Sequence, residues 1–261
     1  MATVDDISDR QEKAGEYIAE KGFVSLADLS QFLNVSESTA RRDVDALVQK
    51  GGIVRTHGGV ICTQYRSGYR IAASERGMIL SVEKQMIARA AAGLIEDEQS
   101  LIISGGSTCC YVAEHLFGKR LSVVTNCPQI ASMLSMDLET QVTLLGGYVY
   151  PRTGVALGPT AEGQLEGMRS SLAILGCAGI GPEGIYNGNQ IMVDMDRKII
   201  RAAEKTILVA DHSKFAKPSL IKQCNFDEID VIVTDSGIEK GWLHRLEAMP
   251  LELVIASSES G

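Results

Sequence analysis

The apolar positions of the first fifty residues recur at helical spacing. Ala14, Tyr17 and Ile18 form one stripe, and Leu26, Leu29, Phe32 and Leu33 form a second. Gly22 breaks the chain between them. Ser25 precedes the second run with Asp28 three residues on, the arrangement of a capping box. Asn34-Val35 reads as a short turn, and Ser36 as the N-cap of a third helix. In that helix Ala40, Val44, Leu47 and Val48 point to one side. At about 100° per residue, Ser38, Arg42 and Gln49 point the opposite way, with Arg41 on the flank. A tight basic hairpin follows, through Val54-Arg55-Thr56-His57-Gly58-Gly59.

After residue 82 the pattern changes. A helical stretch at 82–94 leads to short apolar runs at 101–103, 121–124, 142–145, 172–175, 206–210, 231–233 and 251–255. Intervals such as 111–117 and 194–204 read as helices. Near-continuous apolar strands separated by helices predict a mostly parallel sheet with helices on both faces. The expected organisation is two domains: an N-terminal α winged helix-turn-helix at 1–62, a linker at 63–81, and a C-terminal α/β domain at 82–257.

The N-terminal pattern suits the major groove of DNA. Its third helix buries one face on the first two helices and turns Ser38 and Arg42 outward. Arginine pairs bidentately with guanine there, and small hydroxyls fit phosphates or base edges. Two observations weigh against DNA. Arg41 is placed to pair with Asp45 at i,i+4 and do nothing else. Residues 1–62 hold seven Lys and Arg against ten Asp and Glu, a net charge of −3. The domain-wide basic footprint is therefore absent. A local stripe of Arg41, Arg42, Lys50 and Arg55 remains, and a small module needs only a few phosphate contacts. A protein-interaction or dimerisation module stays open on this geometry.

Composition narrows the rest. The chain has 261 residues, 45% hydrophobic, with a formal net charge of −8, which excludes a general polyanion binder. The six cysteines, Cys62, Cys109, Cys110, Cys127, Cys177 and Cys224, lack C-x-x-C spacing and a histidine cluster. No metal site and no cofactor are expected, and the thiols fit small buried residues in a reducing compartment. Residues 1–10 are polar and acidic, unlike a signal peptide. No apolar run approaches the ~18 residues of a membrane span, so a cytoplasmic place without membrane contact is expected. The linker carries Arg66, Arg70 and Arg76 with one acid, Glu75, and reads as solvated.

Polar and glycine clusters follow the expected strands: Ser104-Gly105-Gly106-Ser107-Thr108, Thr125-Asn126, Gly146-Gly147, Gly176 with Gly179, Asp211-His212-Ser213-Lys214, and Thr234-Asp235. In open α/β sheets a ligand crevice lies outside the carboxyl ends of the strands. The first cluster runs from strand into helix. Its glycines let backbone amides approach a ligand, the helix start favours an anion, and Ser107 and Thr108 add hydroxyls. The spacing matches neither a P-loop nor a dinucleotide fingerprint, and fits a small phosphate better than a nucleotide. Lys214 is placed to add a cation. The alternative is that Ser107 only caps its helix. Cys109-Cys110 reads as packing.

The pattern V-S-x-S-T-x-R-R-D-V-x-x-L at 35–47, then G-G-I-V-R-T-H-G-G-V at 51–60, resembles the DeoR/GlpR family of bacterial transcriptional regulators. The resemblance implies that Ser38, Thr39, Arg41 and Arg42 sit on the recognition helix, and Ser36 at its N-cap is a further DNA-binding candidate. It also implies that Arg55, Thr56, His57 and Gly58 form the wing, with operator DNA as partner. Over 83–257 the runs S-G-G-S-T, V-V-T-N, L-L-G-G, L-G-x-A-G-I and I-L-V-A-D-H-S-K-F resemble the family's sensor domain. That domain is similar in fold to ribose-5-phosphate isomerase-like enzymes. A phosphorylated sugar or related metabolite is implied as effector. Its expected contacts are Ser104, Gly105, Gly106, Ser107, Thr108, Thr125, Asn126, Gly147, Gly179, Asp196 and Lys214. A homo-oligomer, dimer or tetramer, is implied as well. Three positions depart from the family pattern: Ser104 where Asp is common, Ala178 in place of the acid of G-x-D-G, and Asp196 where a Lys is common. The expectation is a non-enzymatic regulator, a repressor of a carbohydrate-metabolism operon. The alternative is a sugar-phosphate isomerase-like enzyme with a winged-helix appendage, using Asp194, Asp196, Asp211 or Asp235 as base.

Overall fold

The computed structural model describes residues 4–21, 23–50, 53–55, 59–62 and 80–257. The chain divides into two compact units, Met1–Ile79 and Leu80–Gly261. The expectations for Thr56, His57 and Gly58 and for residues 63–79 lie outside the described residues, as do the side chains of Gln49 and Lys50.

The first unit contains α1 (Val4–Lys21), β1 (Phe23–Ser25), α2 (Leu26–Leu33), α3 (Glu37–Lys50), β2 (Ile53–Arg55) and β3 (Gly59–Cys62). Ser25 caps α2, its hydroxyl accepting from the Asp28 amide at 3.0 Å and donating to the Asp28 carboxylate at 2.7 Å. Asn34 ends α2 in the left-handed region, φ 52°, which turns the chain directly into α3. Ala14, Ile18, Leu29, Ala40, Val44 and Leu47 join Val24, Ile53 and Val60 in one core. Two side chains depart from the apolar pattern. Val48 is exposed rather than packed in the core. Phe32 is half exposed and covers itself by stacking on Tyr17, with ring centroids 3.8 Å apart. β1, unforeseen in the sequence, pairs antiparallel with β3, which also pairs with β2. The wing is therefore a three-stranded sheet in the order β1-β3-β2.

The second unit contains α4 (Ser81–Gly93), β4 (Ser100–Ile103), α5 (Ser107–Glu114), β5 (Ser122–Thr125), α6 (Pro128–Leu134), β6 (Gln141–Leu144), β7 (Tyr148–Tyr150), β8 (Val155–Leu157), α7 (Pro159–Gln164) and β9 (Ser170–Leu175). There follow β10 (Gly179–Gly181), β11 (Gly184–Asn187), α8 (Gln190–Ala202), β12 (Ala203–Val209), β13 (Ile221–Cys224), β14 (Val231–Asp235), α9 (Lys240–Glu247) and β15 (Glu252–Ala256). The seven apolar runs form the seven strands of one parallel sheet, ordered β15-β14-β12-β9-β4-β5-β6. Its central side chains, Ile102, Ile103, Ala173, Ile174, Ile207 and Leu208, are buried. Truncating one such isoleucine to alanine costs about 2–5 kcal/mol.

Sequence order reverses between β4 and β9. Right-handed crossovers then place the helices of the two halves on opposite faces. α4 packs on β14 and β15, and α8 on β9 and β12. Two helices begin earlier than expected. α5 starts at Ser107 because Gly106 is its N-cap, and α8 starts at Gln190 because the Asn189 side chain caps the Ile191 amide at 3.0 Å. The sequence pattern does not reveal the β7–β8 ribbon or the small antiparallel sheet β10-β11-β13. Gly179 belongs to β10 rather than to a loop.

Candidate DNA-reading helix and effector crevice

α3 is held by its caps and by one buried acid. The Thr39 amide donates to the Ser36 hydroxyl at 3.3 Å, and that hydroxyl also lies 2.9 Å from Ser38 Oγ and 3.0 Å from Thr39 Oγ1. Asp43 sits on the inner face, almost fully buried. Arg10 of α1 donates to both its oxygens, at 2.6 and 3.0 Å. The R-R-D stretch therefore splits by function. Its acid ties α3 to α1, and its two arginines project outward. Arg41 and Arg42 are exposed, and neither pairs with an acid among the described residues. The Arg41–Asp45 pairing read from the sequence is not formed. Asp45 instead takes Arg55 of β2, with Nη1 2.6 Å from Oδ1. Both partners of that pair are substantially exposed, so the pair adds little to stability.

In the second unit the loop after β4 lies where strand order reverses, the position at which an open α/β sheet forms its crevice. The Ser104 amide donates to Ile174 O at 2.9 Å and fastens the loop to β9. Gly105 donates its amide to Asn126 Oδ1 at 3.0 Å, and a Cβ there would overlap Val155. Gly105 is thus a packing glycine with its amide already used. Gly106 differs. It is exposed, extended at φ 173°, and caps α5 without a side chain. The first-turn amides of α5 lack intrahelical acceptors. Ser107 is half-buried and Thr108 buried beside them.

Several expected contacts serve the scaffold. Thr125 is buried, donates its hydroxyl to Ile103 O at 2.7 Å and accepts from the Cys127 amide at 3.1 Å. Asn126 uses its other end on Ala156 O at 3.1 Å. Gly147 admits the close approach of Leu157 O, 2.8 Å from where a Cβ would stand. Gly179 is pressed against the Lys217 carbonyl. These residues hold neighbouring backbone in place at the sheet edge.

The departures Ser104 and Asp196 are brought together. Ser104 Oγ donates to Asp196 Oδ1 at 2.9 Å, in a buried contact. Burial pushes the Asp196 carboxyl up to about 7, against the opposing hydrogen bonds from Ser104 and Asn187. Ala178 lies in the turn after β9, its amide donating to Tyr186 O at 3.0 Å.

Lys214 ends the short turn His212–Lys214 beyond β12. It is half-buried beside Cys177 and forms no ion pair with an acid among the described residues. The same turn holds a pair that the sequence did not single out. His212 Nδ1 lies 2.7 Å from Asp235 Oδ2, and the His212 amide donates to Asp235 Oδ1 at 2.8 Å. The acids suggested as a catalytic base are engaged elsewhere. Asp211 caps the turn through the Ser213 amide, Asp235 takes His212 and Gly237, and Asp194 takes Gln190.

Comparison with known proteins agrees with both units. Residues 10–65 match the DeoR-like helix-turn-helix domain, and residues 80–236 the DeoR C terminal sensor domain. The HTH-type transcriptional repressor GlcR of Bacillus subtilis is 28% identical over 246 residues, covering 94% of this chain and 95% of the relative. The transcriptional repressor AccR of Agrobacterium fabrum is 31% identical over 233 residues, covering 88% and 90%. A putative aga operon transcriptional repressor of Escherichia coli O157:H7 is 28% identical over 252 residues, covering 95% and 93%. Among solved structures, ribose 5 phosphate isomerase A of Neisseria gonorrhoeae is 18% identical, with a TM-score of 0.39 over 54% of this chain and 55% of that one. The relatives are regulators rather than enzymes, and the chain belongs to the DeoR family of DNA-binding transcriptional regulators.

Proposed function

We propose that this regulator represses a carbohydrate-metabolism operon and is controlled by a phosphorylated sugar or related metabolite. Operator contact is assigned to Ser36, which caps α3, and to Ser38, Thr39, Arg41 and Arg42 of α3, with Arg55 and residues 56–58 as the wing. The domain limits 1–62 and 82–257 follow from this division, and a dimer or tetramer supplies the paired half-sites. The effector is assigned to the β4–α5 loop. The observation that carries it is the exposed start of α5 at Gly106, which has no side-chain cap, set where strand order reverses, with Lys214 forming no ion pair among the described residues in a loop of the same sheet edge. Helix-start amides and a free cation suit an anion. Within the crevice Gly106, Ser107, Thr108 and Lys214 are the direct contacts, while Ser104, Gly105, Thr125, Asn126, Gly147, Gly179 and Asp196 form its wall. Relatives named for the aga operon and for L-fucose operon activation favour a sugar-derived ligand.

The test is retention of DNA carrying the chain's own or neighbouring promoter, with phosphorylated and unphosphorylated sugars added in turn. Release by a phosphorylated sugar alone is expected. Release by the unphosphorylated sugar alone would overturn the phosphate reading. Failure to retain any of these DNA fragments would overturn the assignment of the operon.

A further inference from the structure

Two cysteines that the functional reading leaves unused meet where α5 packs on α6. Cys110 lies in the first turn of α5 and is half-buried, and Cys127 is the buried N-cap of α6. Their sulfurs are in hydrogen-bond contact, and the amides of Gln129 and Ile130 face Cys127 from the first turn of α6. The hydrogen bond from Cys110 and those amides bring the Cys127 thiol down, against its burial. Donation to Cys127 and burial push Cys110 up. Burial also raises Cys109, Cys177 and Cys224, which stay protonated. One thiolate and one adjacent thiol on separate helices form the arrangement of an attacking and a resolving cysteine.

We propose that Cys110 and Cys127 are a modification site: a dithiol that hydrogen peroxide closes to a disulfide. The Cys127 thiolate attacks one peroxide oxygen. An S–O bond forms, the O–O bond breaks, and the departing hydroxide takes the Cys110 proton as water. The Cys110 thiolate then attacks the Cys127 sulfur. The S–S bond forms, the S–O bond breaks, and the second hydroxide takes a proton from solvent. The two sulfurs together lose two electrons, and peroxide is reduced to two waters.

The pair adjoins the effector loop. The Cys127 Cβ lies 3.2 Å from where a Gly105 Cβ would stand, and the Cys110 amide donates to Gly106 O at 2.9 Å. Drawing the sulfurs together therefore displaces backbone on both sides of the β4–α5 loop. Oxidation should lower anion affinity there. This coupling rests on the proposed effector site; the dithiol does not.

The experiment treats the full-length reduced protein with hydrogen peroxide, alkylates remaining thiols, and maps tryptic peptides before and after dithiothreitol. A dithiothreitol-sensitive cross-link between the peptides of Cys110 and Cys127 is expected. Cys110→Ser should abolish it and leave Cys127 trapped by a sulfenic-acid reagent. Cys127→Ser should leave Cys110 unoxidised. No cross-link, a cross-link surviving Cys110→Ser, or one joining two chains would overturn the proposal. Calorimetry with inorganic phosphate on reduced and oxidised wild type reads the coupling, expected as a tenfold or greater loss. Equal affinity in the two forms would overturn the coupling. No phosphate binding by the reduced form would overturn the effector site while leaving the dithiol standing.

Discussion

Arg10 of α1 clamps the carboxylate of Asp43 on the inner face of α3, with its Nε 2.6 Å from Oδ2. A recognition helix must be held at a fixed angle, and α3 is short of large apolar side chains for that purpose. Ala40, Val44 and Leu47 supply its buried apolar face. The ion pair adds direction to that packing. Arg10→Ala leaves the buried Asp43 with Gln11 Nε2, at 3.5 Å, in place of the ion pair, and breaking a buried pair costs up to about 3–5 kcal/mol. Arg10→Ala should therefore lower the unfolding midpoint of the N-terminal unit and weaken DNA binding, although Arg10 lies on α1. Urea unfolding followed by amide exchange in α1 and α3 reads the first effect. Unchanged exchange protection would show that the pair does not fix the helix.

Arg42→Ala tests the opposite face. Arg42 is exposed and contributes nothing to the core. Its loss should cost about 1–3 kcal/mol per half-site through a base contact. Specific operator binding should fall by about fivefold to 150-fold per half-site, the same range converted at RT, while the unfolding midpoint stays at the wild-type value. A gel-shift titration giving wild-type affinity would remove Arg42 from the recognition surface.

Arg55 is shared between Asp45 and the DNA assigned to it. Asp45→Asn deletes a carboxylate from the same surface and frees the guanidinium, so affinity should rise at low salt. Arg55→Ala should flatten the salt dependence by about one charge per monomer. Salt titrations of both variants check this. A wild-type salt slope in Arg55→Ala would place Arg55 away from the phosphates.

The parts legible in the sequence are those set by a repeating pattern. All seven apolar runs become strands of the parallel sheet, because strands buried on both faces leave a continuous signature. The stripe of Ala40, Val44 and Leu47 fixes which side of α3 turns outward. What escaped notice depends on single contacts. β1 is three residues long and is defined by its pairing with β3, not by its own pattern. Asp43 reads as one more acid on a charged helix until Arg10 arrives from α1. Thr125 and Asn126 sit at the right edge of the sheet, yet their side chains hold neighbouring backbone. Ser104 and Asp196 are 92 positions apart, and only the fold shows that Asp196 accepts a hydrogen bond from Ser104.

Asp196 gives a pH dependence. Its carboxyl is raised to about 7 in the fold by burial, above the ordinary value of an unfolded Asp. The folded state therefore holds a proton that the unfolded state has released. Stability from this group is full below the unfolded pKa of about 4 and is lost as pH rises through the folded value near 7. Asp196→Asn removes the titration while keeping an oxygen to accept from Ser104. Relative to wild type, this variant should gain stability between pH 5 and pH 8. Urea midpoints at the two pH values measure it, and a constant difference would refute the raised carboxyl.

Gly106→Asp separates anion binding from folding. Gly106 is extended, and the nearest atom to an added Cβ is Cys109 Sγ at 3.9 Å, so aspartate fits without strain. Aspartate is also a strong N-cap, better than glycine by about a few tenths of a kcal/mol. Its carboxylate would accept from the first-turn amides of α5 and occupy the place assigned to the effector's phosphate. The variant should thus be as stable as wild type or slightly more so. It should bind operator normally and fail to release it. Charge-assisted hydrogen bonds contribute about 1.5–3 kcal/mol each, so losing one lowers phosphate affinity by about tenfold to a hundredfold. Gly106→Asn supplies the same cap without the charge and should lose less. Linkage requires that a ligand unable to bind cannot shift the DNA equilibrium, whatever its concentration. Calorimetry with inorganic phosphate, beside thermal unfolding of all three proteins, decides the matter. Equal phosphate binding by wild type and Gly106→Asp would place the anion elsewhere in the crevice.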